Sequence, residues 1–132
     1  MDRLRVLDTG VIEGRLNIAL GQAIIEAHQG GRVPDTLRFL RFPPTALVGR
    51  HQALAQEIDL DYCRDHDVGT ARRITGGGAI FLDPGQLGWE LALDRRTLGI
   101  AQLPELTRVI CEAAADGLSR LGVAARYRPR ND

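Results

Sequence analysis

Residues 68–82, VGTARRITGGGAIFL, decide the fold, because three successive glycines there separate two short apolar segments. Val68–Ile74 and Ala79–Leu82 are each typical of a β-strand, and the glycines between them are typical of a loop. We therefore predict a strand–loop–strand hairpin. A dinucleotide-binding fold needs a helix directly after its glycines, and a Walker loop needs a Gly-Lys pair followed by Ser or Thr, so the segment favours neither.

The flanking sequence predicts two long helices. Gly14–Gln29 has apolar residues at helical spacing and is followed by Gly30 and Gly31, which favour a helix end. Leu103–Leu121 is the longest helical pattern, and Gly122 is a natural C-terminal cap for it. The apolar stripe of the first helix is Leu16, Leu20, Ala23, Ile24 and Ala27, and that of the second is Leu106, Val109, Ile110, Ala113, Ala114, Gly117, Leu118 and Leu121. The second stripe predicts a wide buried face.

Shorter patterns complete the predicted architecture. Leu87, Trp89, Leu91 and Leu93 alternate with other residues, which is the strongest strand pattern in the chain. The other predictions are strands over Asp35–Phe42, Thr45–Gly49 and Val123–Arg128, and a short helix over Asp59–His66 with Asp59 as its N-cap. This order predicts an α+β fold, with helices packed on one face of a mixed or mainly antiparallel sheet.

Composition narrows the class of protein. The 132 residues fit one compact domain, and 17 basic residues balance 17 acidic ones, which argues against a nucleic-acid partner. The chain has neither an apolar run of about 18 residues nor a signal-peptide pattern at its start, so we expect a cytoplasmic protein without a membrane partner. All the basic residues are arginine, so the chain offers no lysine as a nucleophile.

The glycine segment carries the strongest chemical signal. Without side chains, Gly76, Gly77 and Gly78 allow the backbone to approach a ligand closely and to turn its N–H groups toward an anion. The two arginines before the loop supply positive charge and bind carboxylate or phosphate in a bidentate manner, and Thr75 adds a hydroxyl. The segment therefore predicts an anion-binding loop, although a plain hairpin turn remains an alternative.

A second polar segment follows the predicted strand Thr45–Gly49. Gly49 permits a close turn, after which Arg50, His51 and Gln52 present three polar side chains. The segment is either part of a binding site or a solvent-exposed loop, and its pattern alone does not decide between the two.

Together these motifs resemble the lipoate–protein ligase branch of the biotin/lipoate protein ligase superfamily. The matching elements are Val48-Gly49-Arg50-His51-Gln52, Glu57, Arg72-Arg73-Ile74-Thr75-Gly76-Gly77-Gly78-Ala79-Ile80-Phe81, Asp83 and the terminal Arg130-Asn131-Asp132, in that order. The resemblance covers about Gly14 to Asp132 and implies an α+β fold related to class II aminoacyl-tRNA synthetase cores. It also implies that residues 1–132 are the N-terminal part of a catalytic domain whose C-terminal part is absent.

The resemblance implies an activity and its ligands. Family members join lipoate to ATP, with Mg²⁺, to make lipoyl-adenylate, and then pass the lipoyl group to a lysine of a lipoyl carrier domain. By motif position, Arg73 is expected to contact the nucleotide phosphates or the lipoate carboxylate. The other ATP- and lipoate-binding residues are expected to be Arg50, His51, Thr75, Gly76, Gly77, Gly78, Ala79, Ile80 and Phe81. Asp132 is expected to lie near the magnesium.

The chain departs from the family pattern in ways that leave its reaction open. Ligases of the family have a lysine shortly after the element that matches Arg130-Asn131-Asp132, so the catalytic residue is expected beyond this chain. Leu82 stands where the family often has histidine. Acyltransferase relatives use a cysteine nucleophile further downstream, which neither Cys63 nor Cys111 matches. The alternatives are a ligase that needs a further segment or a partner subunit, an octanoyl or lipoyl transferase of the same fold, and a nonenzymatic ligand-binding relative.

Overall fold

The structure, a computed structural model, describes residues 3–129 and consists of two compact units that meet in sequence at Leu93 and Asp94. The larger unit has the order β1 (Arg5–Val11), α1 (Gly14–Gln29), β2 (Thr36–Arg41), β3 (Thr45–Val48), α2 (Leu54–Glu57), α3 (Leu60–Asp65), β4 (Gly69–Arg72), β5 (Ile80–Leu82) and β6 (Gly88–Ala92). The smaller unit contains a 3-10 turn, Arg95–Leu98, and α4 (Leu103–Arg120). None of the helices within residues 3–129 is long and apolar enough to span a membrane.

The strands of the larger unit form two mixed three-stranded sheets, so the predicted α+β class is confirmed. In sheet 1 the order is β1-β2-β6, with β1 parallel and β6 antiparallel to β2. In sheet 2 the order is β4-β3-β5, with β4 parallel and β5 antiparallel to β3. The strands were expected in one sheet, and their division between two sheets was not predicted.

Helix α1 joins the two sheets. At its start, a Cβ added to Gly14 would lie 2.8 Å from Cγ2 of Thr45 in β3, and Arg15 Nε donates to the carbonyl of Thr70 in β4 at 3.1 Å. About two turns further along the same face, a Cβ added to Gly21 would lie 2.7 Å from a carboxylate oxygen of Glu90 in β6. The helix therefore packs closely on strands of both sheets, because small residues face the strands.

The predicted bounds of α1 are confirmed, and of its apolar stripe only Ile24 is buried. The buried residues are Gly14, Asn17, Gly21 and Ile24, whereas Leu16 is 60% exposed. The reason is that α1 covers a polar group rather than an apolar sheet surface. The glycines on its inner face leave room for that group, and the amide side chain of Asn17 binds it.

This group is the side chain of Arg38, which is fully buried. Its Nη1 donates to Glu90 Oε1 at 2.8 Å, its Nε donates to Thr9 Oγ1 at 3.0 Å, and its Nη2 donates to Asn17 Oδ1. The Asn17 amide in turn donates to the carbonyl of Arg41 at 2.8 Å. A buried charge is tolerated when it is paired and hydrogen-bonded in this way, so the network fixes α1 on sheet 1.

The predicted cap of α3 is confirmed. Asp59 accepts a hydrogen bond from the N–H of Tyr62 at 2.9 Å, and Cys63 of the same helix is buried in the apolar core. The buried apolar residues are Ile24, Leu40, Phe42, Leu47, Val48, Cys63 and Ala71. Leu47 and Val48 of β3 belong to this core, so the C-terminal end of β3 is buried.

Three predictions about longer-range structure are wrong. The hairpin is not formed, because β3 lies between β4 and β5 and pairs with both. Residues 123–128 form no strand in the described part of the chain, where no neighbouring strand pairs with them. Helix α4 has no buried residue among those described, and Leu118 and Leu121 are 47% and 80% exposed. An amphipathic helix buries its apolar face only where another element covers it.

Candidate functional site

The glycine loop, residues 73–79, crosses the C-terminal end of β3. It must do so because it connects β4 to β5, which lie on opposite sides of β3. The N–H of Arg73 donates to the carbonyl of Val48 at 3.0 Å, and the N–H of Arg50 donates to the carbonyl of Thr75 at 2.8 Å. The segment with Arg50 and His51 therefore lies against the glycine loop.

Gly49 is required by the close contact between these two segments. A Cβ added to Gly49 would lie 2.1 Å from the carbonyl oxygen of Gly77 and 3.1 Å from its carbonyl carbon. No real side chain tolerates the first distance, so any other residue at position 49 would force the backbones apart. The sequence indicated a close turn at Gly49, and the structure identifies the partner as the backbone of the glycine loop.

The three glycines of the loop are not equivalent. Gly77 has a φ of +101°, and a Cβ there would lie 2.6 Å from Arg73 Nη2. At Gly76 and Gly78 an added Cβ would meet no described atom within 4 Å. Contacts within residues 3–129 therefore explain glycine at position 77 but leave open space at the other two positions. Open space beside a backbone is what close approach of a ligand requires.

The side chain of Arg73 folds over the glycine loop. Its Nε and Nη2 donate to the carbonyl of Gly76 at 3.1 and 2.9 Å, and Nη2 also donates to the carbonyl of Gly78 at 2.8 Å. The remaining nitrogen, Nη1, is shielded from solvent and has no hydrogen-bond partner among the described residues. An unpaired, shielded guanidinium N–H is unfavourable, so this nitrogen is suited to accept an anionic ligand as its partner.

Arg72 points away from Arg73 and binds a different segment. Its Nη1 lies 3.1 Å from the carbonyl oxygens of both Gly49 and Arg50, and 2.5 Å from that of Gln52. The sequence predicted that both arginines supply charge to the loop, but the structure separates them. Arg73 contacts the glycine loop, whereas Arg72 contacts the turn that packs on it.

Apolar side chains lie exposed on the strands after the loop. Ile80 and Phe81 of β5 are 47% and 52% exposed, and Trp89 of β6 is 43% exposed. Trp89 lies next to Glu90 in the strand and therefore points to the opposite face of sheet 1, away from α1. Single exposed apolar side chains are common on protein surfaces, so their exposure alone does not identify a binding surface.

A concavity of about 300 Å³ lies beside β4 and is lined by Arg15, Leu54, Thr70, Ala71 and Arg72. The glycine loop does not contribute to its lining. The residues predicted to bind ATP and lipoate therefore surround the end of β3, and this neighbouring concavity is a separate feature.

No group of His, Cys, Asp or Glu among residues 3–129 is arranged to hold a metal ion. The residues predicted to lie near the phosphates and magnesium, Asn131 and Asp132, are outside the described range. The role expected for Asp132 therefore stays a prediction.

Sequence reasoning missed the Arg38 network. Arg38 and Glu90 are direct partners across β2 and β6, although 52 positions separate them in sequence. The available signal was an arginine between the apolar residues Leu37 and Phe39 of one strand, combined with a glutamate within the alternating strand. Such a pair indicates a buried charge and its partner only when the strand pairing is known.

Comparison with known proteins identifies related catalytic domains. The family model of the lipoyl protein ligase A/B catalytic domain matches residues 13–132. The octanoyltransferase LipM of Moorella thermoacetica is 37% identical over 119 residues, which make up 89% of this chain and 44% of that protein.

Two solved structures are similar in fold and in sequence. Lipoate-protein ligase A bound with ATP has a TM-score of 0.74 and 32% identity, over 98% of this chain and 51% of the other. A chain from the bi-partite lipoate protein ligase system of Thermoplasma acidophilum, which was studied with its E2 lipoyl domain, has a TM-score of 0.71 and 27% identity, over 97% of this chain and 49% of the other. The chain thus spans about half the length of the relatives it matches.

Proposed function

The chain belongs to the family of lipoyl protein ligase A/B catalytic domains, and on this basis we propose that it is the N-terminal part of an ATP-dependent lipoate–protein ligase. The proposed enzyme joins lipoate to ATP with release of pyrophosphate. It then passes the lipoyl group from lipoyl-adenylate to a lysine of a carrier domain, forming an amide and releasing AMP. Because the chain covers 51% of the ATP-bound relative, the complete reaction is proposed for the whole protein or for its complex with a separate C-terminal subunit.

One observation carries this proposal: the Arg73 guanidinium covers the glycine loop with a shielded, unpaired nitrogen, beside open space at Gly76 and Gly78. Adenylation brings the lipoate carboxylate and a phosphate of ATP together, and both are anions. Fixed positive charge lowers their repulsion and stabilises the charge that develops in the transition state. Arg73 is proposed to supply that charge to the carboxylate or to the phosphates.

The neighbouring residues are proposed to complete the site. Arg50 and His51 flank the loop on the turn that packs against it, and Thr75 lies at the start of the loop. Ala79, Ile80 and Phe81 continue from the loop into β5 and supply apolar surface beside the adenylate. A small set of polar groups next to an apolar surface is the usual composition of a ligand site.

Magnesium is proposed to arrive with ATP as part of the nucleotide substrate, where it neutralises charge on the polyphosphate. Asp132 is the residue proposed to lie closest to it. The described residues perform the other tasks, which are to orient the carboxylate and to hold the nucleotide over the loop.

The partners follow from the proposed reaction. The acceptor is a lipoyl carrier domain, and the bi-partite organisation of the Thermoplasma system supports a second ligase subunit as a further partner. The catalytic lysine is proposed to belong to that subunit or to a further segment, since the 132 residues contain none.

The direct test is lipoate-dependent exchange of labelled pyrophosphate into ATP. The complete gene product is assayed alone and with a complementing C-terminal ligase subunit. We expect exchange that requires lipoate, because formation of lipoyl-adenylate is reversible. Absence of exchange under both conditions would contradict ATP-dependent activation.

An octanoyltransferase is the second candidate, favoured by the 37% identity to the Moorella protein. It would move an octanoyl group from one carrier protein to another without ATP. An exchange assay between octanoylated and free carrier domains, performed without nucleotide, distinguishes the two reactions. Transfer without ATP and without pyrophosphate exchange would favour the transferase.

A further inference from the structure

The turn Gly49–Gln52 needs an attachment that its own hydrogen bonds do not provide. Within the turn, the N–H of Gly49 donates to Gln52 Oε1 at 2.8 Å, and the N–H of Gln52 donates to the carbonyl of Gly49 at 3.2 Å. These bonds close the turn on itself. Attachment to the rest of the site requires bonds from outside, such as that from Arg50 N–H to the carbonyl of Thr75.

Among the described residues, Arg72 supplies most of the hydrogen bonds that reach this turn from the rest of the protein. One nitrogen, Nη1, lies within 3.1 Å of three carbonyl oxygens, those of Gly49, Arg50 and Gln52. A cation beside three converging carbonyl dipoles is favourable, and hydrogen bonds from a charged donor are stronger than neutral ones. The same contacts leave this nitrogen with no capacity for a ligand.

The origin of the Arg72 side chain makes these contacts well defined. Arg72 is the last residue of β4 and pairs with Val48, the last residue of β3. The side chain therefore starts beside the strand end from which the turn leaves. Groups that are mounted on a paired strand are held more accurately than groups on loops.

We infer that Arg72 is a positioning residue, which holds the turn Gly49–Gln52, and with it Arg50 and His51, against the glycine loop. This inference rests on the proposed function, because it assigns Arg72 to the geometry of the same site. Arg72 acts on the ligand only through the turn. The adjacent arginines thus have different tasks, since Arg73 faces the ligand and Arg72 orients the residues that flank it.

The test compares Arg72→Ala and Arg72→Lys in the complete gene product, with Arg64→Ala as the matched control. Arg64 has an exposed side chain that pairs only with Asp61 on the surface of α3 among the described contacts. Two quantities are measured: hydrogen exchange of the Arg50 amide without ligand, and affinity for a nonhydrolysable lipoyl-adenylate analogue.

We expect Arg72→Ala to speed exchange of the Arg50 amide and to weaken binding of the analogue, each by about tenfold or more, which corresponds to loss of a charged hydrogen bond. Arg72→Lys, which keeps the charge and three donors, is expected to recover part of both. The control is expected to change neither. If Arg72→Ala does not fold, Arg72→Lys alone provides the test, and its Arg50 exchange rate and its affinity are then both expected to differ from wild type.

Two results would overturn the inference. Wild-type exchange and affinity in Arg72→Ala would show that the turn is held without Arg72. Weaker binding with unchanged Arg50 exchange would show that Arg72 contacts the ligand directly. Failure of the wild-type protein to bind the analogue would count against the proposed function instead, while the exchange measurement would still test the attachment.

Discussion

The guanidinium groups of Arg38 and Arg73 show how differently this chain uses the same side chain. Arg38 is fully buried and bonded to Glu90, Thr9 and Asn17, so nothing is left for a ligand. Among residues 3–129, the Arg73 guanidinium is bonded only to carbonyls of its own loop and keeps one shielded nitrogen unpaired. A guanidinium whose hydrogen bonds are made within the protein stabilises the fold, whereas one with an unpaired nitrogen is available to bind a ligand. The variants below test this division.

The largest expected effect is on the buried network. Arg38→Ala should lower the free energy of unfolding by about 3–5 kcal/mol, because it empties the space of a large buried side chain and leaves the buried Asn17 side chain without its partner. Urea denaturation of the complete protein measures this. Glu90→Gln should cost less, since the Glu90 side chain is 38% exposed and water replaces part of its interaction. Equal free energies of unfolding for Arg38→Ala and wild type would contradict the structural role of Arg38.

Arg73→Ala should affect ligand binding and not folding stability. Affinity for lipoyl-adenylate should fall by about 1.5–3 kcal/mol, the range for a hydrogen bond to a charged group, while stability should change little. Calorimetry of the complete protein gives the affinity, and thermal unfolding checks the fold. Arg64→Ala serves as the control for loss of a surface arginine. If Arg73→Ala binds lipoyl-adenylate as tightly as wild type, Arg73 does not contact the ligand.

The glycines allow a matched comparison within the site. Gly49→Ala should destabilise the contact with the glycine loop by about 1–3 kcal/mol, because the new Cβ overlaps a carbonyl oxygen. Gly78→Ala should leave folding stability nearly unchanged, since an added Cβ meets no described atom within 4 Å. It should nevertheless weaken adenylate binding if the ligand occupies that space. Unfolding midpoints and calorimetry on both variants separate packing from binding.

The smallest expected effect is at the start of α1, where Glu13 caps the helix. Its carboxylate accepts a hydrogen bond from the N–H of Leu16 at 2.9 Å, and this bond, followed by one from Arg15, lowers the pKa of Glu13. Because the pKa is lower in the folded state, the stabilisation is present at neutral pH and is lost as the pH falls through the folded-state pKa. Glu13→Ala should cost about 0.5–1 kcal/mol at pH 7, and the difference from wild type should shrink in acid. A difference that is independent of pH would exclude the carboxylate cap.

Local features of the fold were predictable from the sequence. The bounds of α1 and the cap of α3 depend on residues a few positions apart, such as Gly30 and Asp59, so the relevant interactions lie within the segments themselves. The meeting of Arg50 and the glycine segment was also anticipated, through the family resemblance. The roles expected for the ligand-binding residues remain predictions.

Features that depend on strand pairing were not predictable. β3 lies between β4 and β5, so the apparent hairpin is wrong, because nothing within residues 68–82 indicates that a third strand separates the other two. The apolar stripe of α1 did not indicate that Asn17 is buried, because Asn17 binds Arg38, whose burial depends on Glu90 far along the chain. The different tasks of Arg72 and Arg73 follow from the same pairing and have no signature in their adjacent positions.

The placement of β3 between the two strands that carry the glycine loop has a consequence for assembly. The loop has no local hairpin to shape it, so its geometry forms only after residues 45–48, 69–72 and 80–82 have come together. Local contacts within residues 73–79 therefore do not suffice to set the geometry of the loop. An isolated synthetic peptide of residues 68–82 would accordingly lack the shape of the loop, and transplanting the motif into another protein would require its central strand as well.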